Sequence, residues 1–153
     1  MGFYIAVIFL TRIPLPQKIF NENQLATSIP FFPLVGVVIG GILALIHIII
    51  KDFLSAQAIS VLLVLIHTMI TGGMHLDGFA DTMDGLFCGG DREKKLAVMR
   101  DSCTGAYGVM GITMVFLLKY AFLVSMSQDF TIKALLSFPV LSRWIMAFSM
   151  IFF

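Results

Sequence analysis

Apolar residues fill four long stretches of this chain, and each stretch is bounded by glycine, proline or a few charges. The first runs from Phe31 to Ile50 behind Pro30 and Pro33. A twenty-residue helix rises about 30 Å, the thickness of a bilayer's hydrocarbon core. Within it Gly36 and Gly40 form a GxxxG pair, which permits close helix contact. Lys51 and Asp52 mark a tight turn, and a second stretch follows over about 53–71. Gly72 and Gly73 release the chain into a polar segment, residues 72–104, whose acidic part ends at Gly89-Gly90. Two more apolar stretches occupy about 105–127 and 131–153.

The opening MGFYIAVIFLTRIPLP is too short to span, and it lacks the basic start and small-residue cleavage site of a signal peptide. It predicts an amphipathic or re-entrant helix ending at the Pro14/Pro16 pair. Residues 17–30 have no membrane character and read as an interfacial or cytosolic connection. After Gly90, Asp91 is placed to cap a short interfacial helix, although Lys94 three positions on provides no capping box. Together these elements predict one all-α integral membrane domain. It is a polytopic helix bundle of about four spans, with a short N-terminal helix and a cytosolic acidic helix or loop.

Composition strengthens that picture. Of 153 residues, 59% are hydrophobic and 12% charged, and the mean hydropathy is +0.99. Soluble domains are about 45–50% apolar and about 25% charged, so a water-soluble protein is excluded. The net charge is only +1 and no Lys/Arg tract occurs, which leaves no basis for nucleic-acid binding. Arg12 and Lys18 precede the first span; Arg92, Lys94, Lys95 and Arg100 lie between the second and third. An even number of spans separates the two groups, so the positive-inside rule puts both, and the acidic segment, on the cytosolic side. Cys88 and Cys103 lack CxxC spacing and are expected to be buried or semi-buried thiols without a disulfide.

The chemistry concentrates in GGMHLDGFADTMDGLFCGGD. Asp77, Asp81 and Asp84 fall at i, i+4 and i+7, within roughly 60° of one another on a helix. Phe79, Met83 and Leu86 take the far side, and Gly78 and Gly85 flank the acids, leaving room for a bulky ligand. Three like charges on one face repel one another. Bound Mg²⁺, or Mn²⁺, would relieve the repulsion through such oxygen ligands. Asp101, beyond a glycine break, is placed to fold back as a fourth acid. His75 points away from the stripe, and with Cys88 and Cys103 it matches no common zinc spacing. His47 and His67 are expected to be interhelical hydrogen-bond donors.

Arg143 lies midway along the fourth span, four residues after Pro139, where burial calls for an anion or a carboxylate. Phosphate binding or pairing with an acid is its functional reading. Lys119, in the third span, can snorkel. Gly105, Gly108 and Gly111 recur every third residue, a pattern suited to close approach by a ligand or a neighbouring helix. A membrane-embedded divalent metal with a basic residue opposite suits phosphoryl transfer on an amphiphilic diphosphate. No serine or cysteine has an evident histidine base beside it, so a covalent intermediate has no support.

The string HLDGFADTMDG at 75–85 closely resembles the signature of the cobalamin synthase family, the adenosylcobinamide-GDP ribazoletransferases. TRIPLP at 11–16, FFPLVGVVIGG at 31–41, TGG at 71–73 and RDSCTGAYG at 100–108 agree with it, through to Ser142-Arg143. The resemblance implies a multi-pass enzyme of the cell inner membrane that acts late in vitamin B12 synthesis. Such an enzyme joins adenosylcobinamide-GDP to α-ribazole, or to α-ribazole 5′-phosphate, with Mg²⁺ and release of GMP. It implies that Asp77, Asp81 and Asp84 are the acidic motif, and that Arg100, Asp101 and Ser102 are its arginine-aspartate-serine element, with Arg100 and Ser102 toward phosphate. The membrane lipid is an expected partner, and a homo-oligomer is allowed for. Members usually run to around 250 residues, so the chain is expected to be an N-terminal portion. Two alternatives fit less well. A CDP-alcohol phosphotransferase would need arginine, not Asp81, after Ala80. A cation-coupled transporter would carry polar residues at mid-membrane on several spans.

Overall fold

The computed structural model describes residues 1–16 and 21–152. Lys18, one of the basic residues that orient the chain, and Phe153, the end of the fourth predicted span, lie outside the described residues. Helices dominate, and no strand occurs among the described residues. In chain order they are α1 (Gly2–Leu10), α2 (Glu22–Ala26), a 3₁₀ turn (Ile29–Phe31), α3 (Phe32–Ile50), α4 (Ala56–Thr71), α5 (Met74–Phe87), α6 (Arg92–Met99), α7 (Ala106–Ser125) and α8 (Gln128–Phe152). The chain divides into two compact units, one of Met1–Gly72 with Leu123–Phe153 and the other of Gly73–Phe122.

In the first unit α3 packs most extensively against α8, and the sequence explains why. Pro139 lies inside α8. Proline has no N–H, so the carbonyl of Leu135, one turn earlier, has no helical partner. That oxygen faces Gly40, where an added Cβ would lie 2.6 Å from it. One turn earlier on α3, a Cβ on Gly36 would lie 2.6 Å from the Pro139 carbonyl oxygen. The two glycines therefore bring α3 onto the carbonyls around the proline, close enough for Cα–H···O contacts. The pairing is antiparallel, since the α8 number falls by four as the α3 number rises by four. Val35, Ile39 and Leu43 of α3 then close a core with Val7 and Leu10 of α1, Ile59 and Leu63 of α4, and Leu135 and Ala147 of α8.

The expected boundaries shift in ways with local causes. α1 stops at Leu10, well before Pro14, and Thr11 is extended (φ −138°, ψ 161°). The reason is a contact with α4: the Arg12 N–H donates to the Ile70 carbonyl at 2.7 Å, satisfying one of the carbonyls that a helix end leaves free. The Arg12 side chain lies over Gly72, which has φ +66°. α1 is also apolar around most of its surface rather than amphipathic, with Ile5, Ala6, Val7 and Leu10 buried. α4 begins at Ala56, not 53, because Ser55 caps it by accepting the Ala58 N–H at 3.4 Å. Sixteen residues give only about 24 Å.

Among the described residues, three segments are long and apolar enough to cross a membrane: Glu22–Ile50, Ala106–Ser125 and Gln128–Phe152. α4 reaches that standard only when counted together with α5. The chain is thus a multi-pass membrane protein whose second predicted span is shorter than expected. His47 departs from its predicted role. It is 5% exposed on the face of α3 turned to the core, and neither ring nitrogen has a hydrogen-bond partner among the described residues. Its neighbours along that face are Leu43 and Ala44, which offer only apolar surface.

Candidate functional site

The second unit contains the acidic motif. Gly72 and Gly73 have φ +66° and +71°, and Gly89 and Gly90 have φ +68° and +109°. Only glycine takes up such backbone without strain, so the two glycine pairs delimit α5 as the sequence predicted. The Gly73 carbonyl accepts the Asp77 N–H at 2.9 Å and starts the helix. Downstream, Asp91 caps α6 by accepting the Lys94 N–H at 2.9 Å.

The three stripe aspartates occupy different environments. Asp77 is exposed, Asp81 half-buried and Asp84 buried, at 7% exposure. Asp84 accepts two backbone hydrogen bonds at the start of α7, from Gly105 N to Oδ2 at 2.7 Å and from Gly108 N to Oδ1 at 2.9 Å. First-turn amides are the ones a helix cannot satisfy internally, so Asp84 caps α7 from across the unit. The glycines permit this. A Cβ on Gly105 would stand 2.5 Å from Oδ1, and one on Gly108 would collide with Oδ2. Further along, Gly111 lies under Met83 and Phe79, where an added Cβ would be 2.9 and 3.0 Å from their side chains. The every-third-residue glycines of α7 thus serve approach by α5. Phe87 and Tyr107 extend the contact, with ring centroids 5.5 Å apart.

Gly85, expected to leave room for a ligand, is buried under Met99 of α6, with the Lys95 carbonyl oxygen 3.0 Å from where a Cβ would stand. Gly78 keeps its open side, with nothing within 4 Å of such a Cβ. Arg100, Asp101 and Ser102 lie exposed in the loop joining α6 to α7. Asp101 Oδ1 accepts the Cys103 N–H at 3.0 Å, so the expected fourth acid makes a local turn. Cys88 is half-buried and Cys103 exposed. The expectation of two buried or semi-buried thiols therefore holds for Cys88 alone.

Among the described residues, no three His, Cys, Asp or Glu side chains are gathered closely enough to hold a metal by themselves. Mg²⁺ does not need three, since it characteristically takes one or two carboxylates and completes its shell with water and phosphate. Asp77 and Asp81, one turn apart on the accessible side of α5, fit that donor set. Asp84 differs from both in already accepting two backbone amides. Sequence reasoning missed these amide contacts of Asp84. An acid followed by two glycines three apart at a helix start was the available signal.

Arg143 belongs to the first unit. It is 5% exposed within α8. Its Nε has no hydrogen-bond partner among the described residues, and NH1 reaches only Ser142 Oγ, at 3.4 Å. The α3–α8 register sets it level with Phe32 and Pro33, at the start of α3.

These features define a class: an all-α, multi-pass membrane protein with an acidic helix pinned to the start of one of its apolar helices. Residues 2–153 match the family model described as cobalamin-5-phosphate synthase. The chain belongs to that family. It is 42% identical over 147 residues to the adenosylcobinamide-GDP ribazoletransferase of Thermoanaerobacter pseudethanolicus, covering 95% of this chain and 59% of that one. It is 45% identical over 136 residues to the protein of the same name from Acetivibrio thermocellus (88% and 55%). For the Geotalea daltonii protein the figure is 41% over 143 residues (93% and 58%). The chain spans less than three fifths of the length of these relatives. No solved structure matches it.

Proposed function

We propose that this chain takes part in joining adenosylcobinamide-GDP to α-ribazole, or to α-ribazole 5′-phosphate, with release of GMP. The observation that carries the reading is the family match over residues 2–153, which includes the whole acidic motif of α5. The ribazole 5′ oxygen attacks the cobinamide-linked phosphorus, and the bond from that phosphorus to the GMP oxygen breaks. The hydroxyl proton passes to the carboxylate of Asp101, while GMP leaves with the bonding electrons. Asp77 and Asp81 would hold Mg²⁺, or Mn²⁺, which would supply positive charge to the diphosphate. Arg100 and Ser102 contact phosphate from their loop, and Gly78 leaves α5 open to the substrate. Arg143 supplies a buried cation for a substrate phosphate. The acidic helix faces the cytosol at the inner membrane, where basic residues gather in α6 and its flanks.

The test is GMP release from adenosylcobinamide-GDP and α-ribazole with Mg²⁺. It is run with this chain, and with this chain joined to the C-terminal remainder of the Thermoanaerobacter relative. Cobalamin formed in step with GMP is the expected result. A joined protein that folds but releases no GMP, or that instead makes lipid from CDP-diacylglycerol and an alcohol, overturns the reading.

A further inference from the structure

Adjacent residues of α5 hold both ends of the loop that carries Arg100, Asp101 and Ser102. At its far end, Asp84 accepts the Gly105 and Gly108 N–H groups. At its near end, Met99 closes over Gly85, with the Lys95 backbone beside it. Between these points the loop has its own bracing: the Arg100 and Asp101 N–H groups donate to the Ala97 and Val98 carbonyls, and Asp101 Oδ1 accepts from Cys103. Asp84 is buried while Arg100, Asp101 and Ser102 are exposed, so the clasp is hidden and what it presents is accessible.

From this geometry we infer that Asp84 is a positioning residue and not a metal ligand: it clamps the 100–105 loop and the start of α7 onto the acidic helix. A carboxylate suits the task because each of its oxygens takes one amide and its charge complements the helix start. With an amide on each oxygen and only 7% exposure, the carboxylate has just its remaining, buried lone pairs to offer a cation. Of the three stripe acids, Asp77 and Asp81 alone then face a ligand. The purpose assigned to the clamp rests on the reading of Arg100 and Ser102 as phosphate contacts; the clamp itself does not.

The experiment uses the 153-residue chain in lipid nanodiscs and compares Asp84→Asn, Gly108→Ala, their double variant and Asp81→Asn. Three quantities are read: hydrogen exchange at the Gly105 and Gly108 amides, affinity for Mn²⁺ alone, and affinity for adenosylcobinamide-GDP. Asp84→Asn removes one acceptor, and Gly108→Ala wedges a methyl against the Asp84 carboxylate while leaving the acid itself in the chain. Each should speed exchange of both amides by about tenfold or more. The double variant should be no worse than the more severe single one, because both break the same contact. Mn²⁺ affinity should stay within about threefold for both, but collapse for Asp81→Asn. Gly108→Ala serves alone if Asp84→Asn fails to fold.

Loss of Mn²⁺ affinity in Asp84→Asn with amide exchange unchanged would overturn the inference and return Asp84 to the metal. Substrate affinity separates the two readings. If exchange quickens and adenosylcobinamide-GDP binds about tenfold more weakly, both stand. If exchange quickens and substrate affinity holds, the clamp stands and the phosphate role of Arg100 and Ser102 falls.

Discussion

Gly40 and Gly41 are neighbours on α3, yet the structure gives them opposite tolerances. A Cβ on Gly41 meets nothing within 4 Å, whereas one on Gly40 lies 2.6 Å from the Leu135 carbonyl oxygen and 3.1 Å from the Leu136 Cα. Ordinary contact begins near 3.4 Å, so Gly40→Ala must move α3 away from α8 by about 0.8 Å, the difference between these distances. No side chain can rotate out of the way, because both obstacles are backbone. Overpacking of this kind costs about 1–3 kcal/mol, and the displacement also weakens the Cα–H···O contacts that serve the proline-freed carbonyl. Against this, glycine-to-alanine in a helix gains at most about 1 kcal/mol, and both variants gain it. The difference between them therefore isolates the interface: Gly40→Ala should be less stable than Gly41→Ala by about 1–3 kcal/mol. SDS-titrated unfolding in mixed micelles measures this. Two variants of equal stability, within about 0.5 kcal/mol, would refute the claimed α3–α8 contact. They would also undo the placement of Arg143 at the start of α3.

Four further substitutions test the site and the cap of α6. Asp77→Asn and Asp81→Asn should each weaken Mn²⁺ binding by tenfold or more, roughly what loss of one of two carboxylate ligands implies, with helix content by circular dichroism unchanged; near-normal binding would reject their metal role. Arg143→Gln should weaken binding of α-ribazole 5′-phosphate by about tenfold while leaving uncharged α-ribazole little affected. Equal losses for both, by calorimetry, would reject a phosphate contact. Asp91→Ala should destabilise α6 by about 1 kcal/mol through loss of its cap to Lys94, seen as faster hydrogen exchange across 92–99; unchanged exchange would mean the cap carries no weight.

The helical plan was legible because membrane spans advertise themselves by length and hydropathy, and glycine pairs announce where helices break. α3 and α8 fall within a few residues of their expected bounds for that reason. α1 and α4 differ because their ends are set by partners distant in sequence: Arg12 reaches Ile70, and no local pattern records that. The acidic stripe was visible as a periodicity, but periodicity treats its three members alike. What separates Asp84 from Asp77 and Asp81 is a pair of amides more than twenty residues away. Likewise Gly78 and Gly85 look equivalent as flanking glycines, yet one faces open space and the other lies beneath Met99.

One arrangement recurs in both units. In each, a backbone group left unsatisfied by the chemistry of one helix is met by a neighbour, and glycine makes the approach possible. Pro139 strips Leu135 of its hydrogen-bond partner, and Gly40 brings α3 to the stranded carbonyl. α7 begins with amides that have no helical acceptor, and Gly105 and Gly108 let Asp84 reach them. In water such groups would be solvated at little cost, but in the hydrocarbon core of a bilayer each unsatisfied one costs several kcal/mol. The pressure that places these glycines is therefore satisfaction of the backbone, and ligand access need not be invoked for them. Gly78 is the exception among the glycines of α5: nothing lies within 4 Å of where its Cβ would stand, so no backbone contact accounts for it.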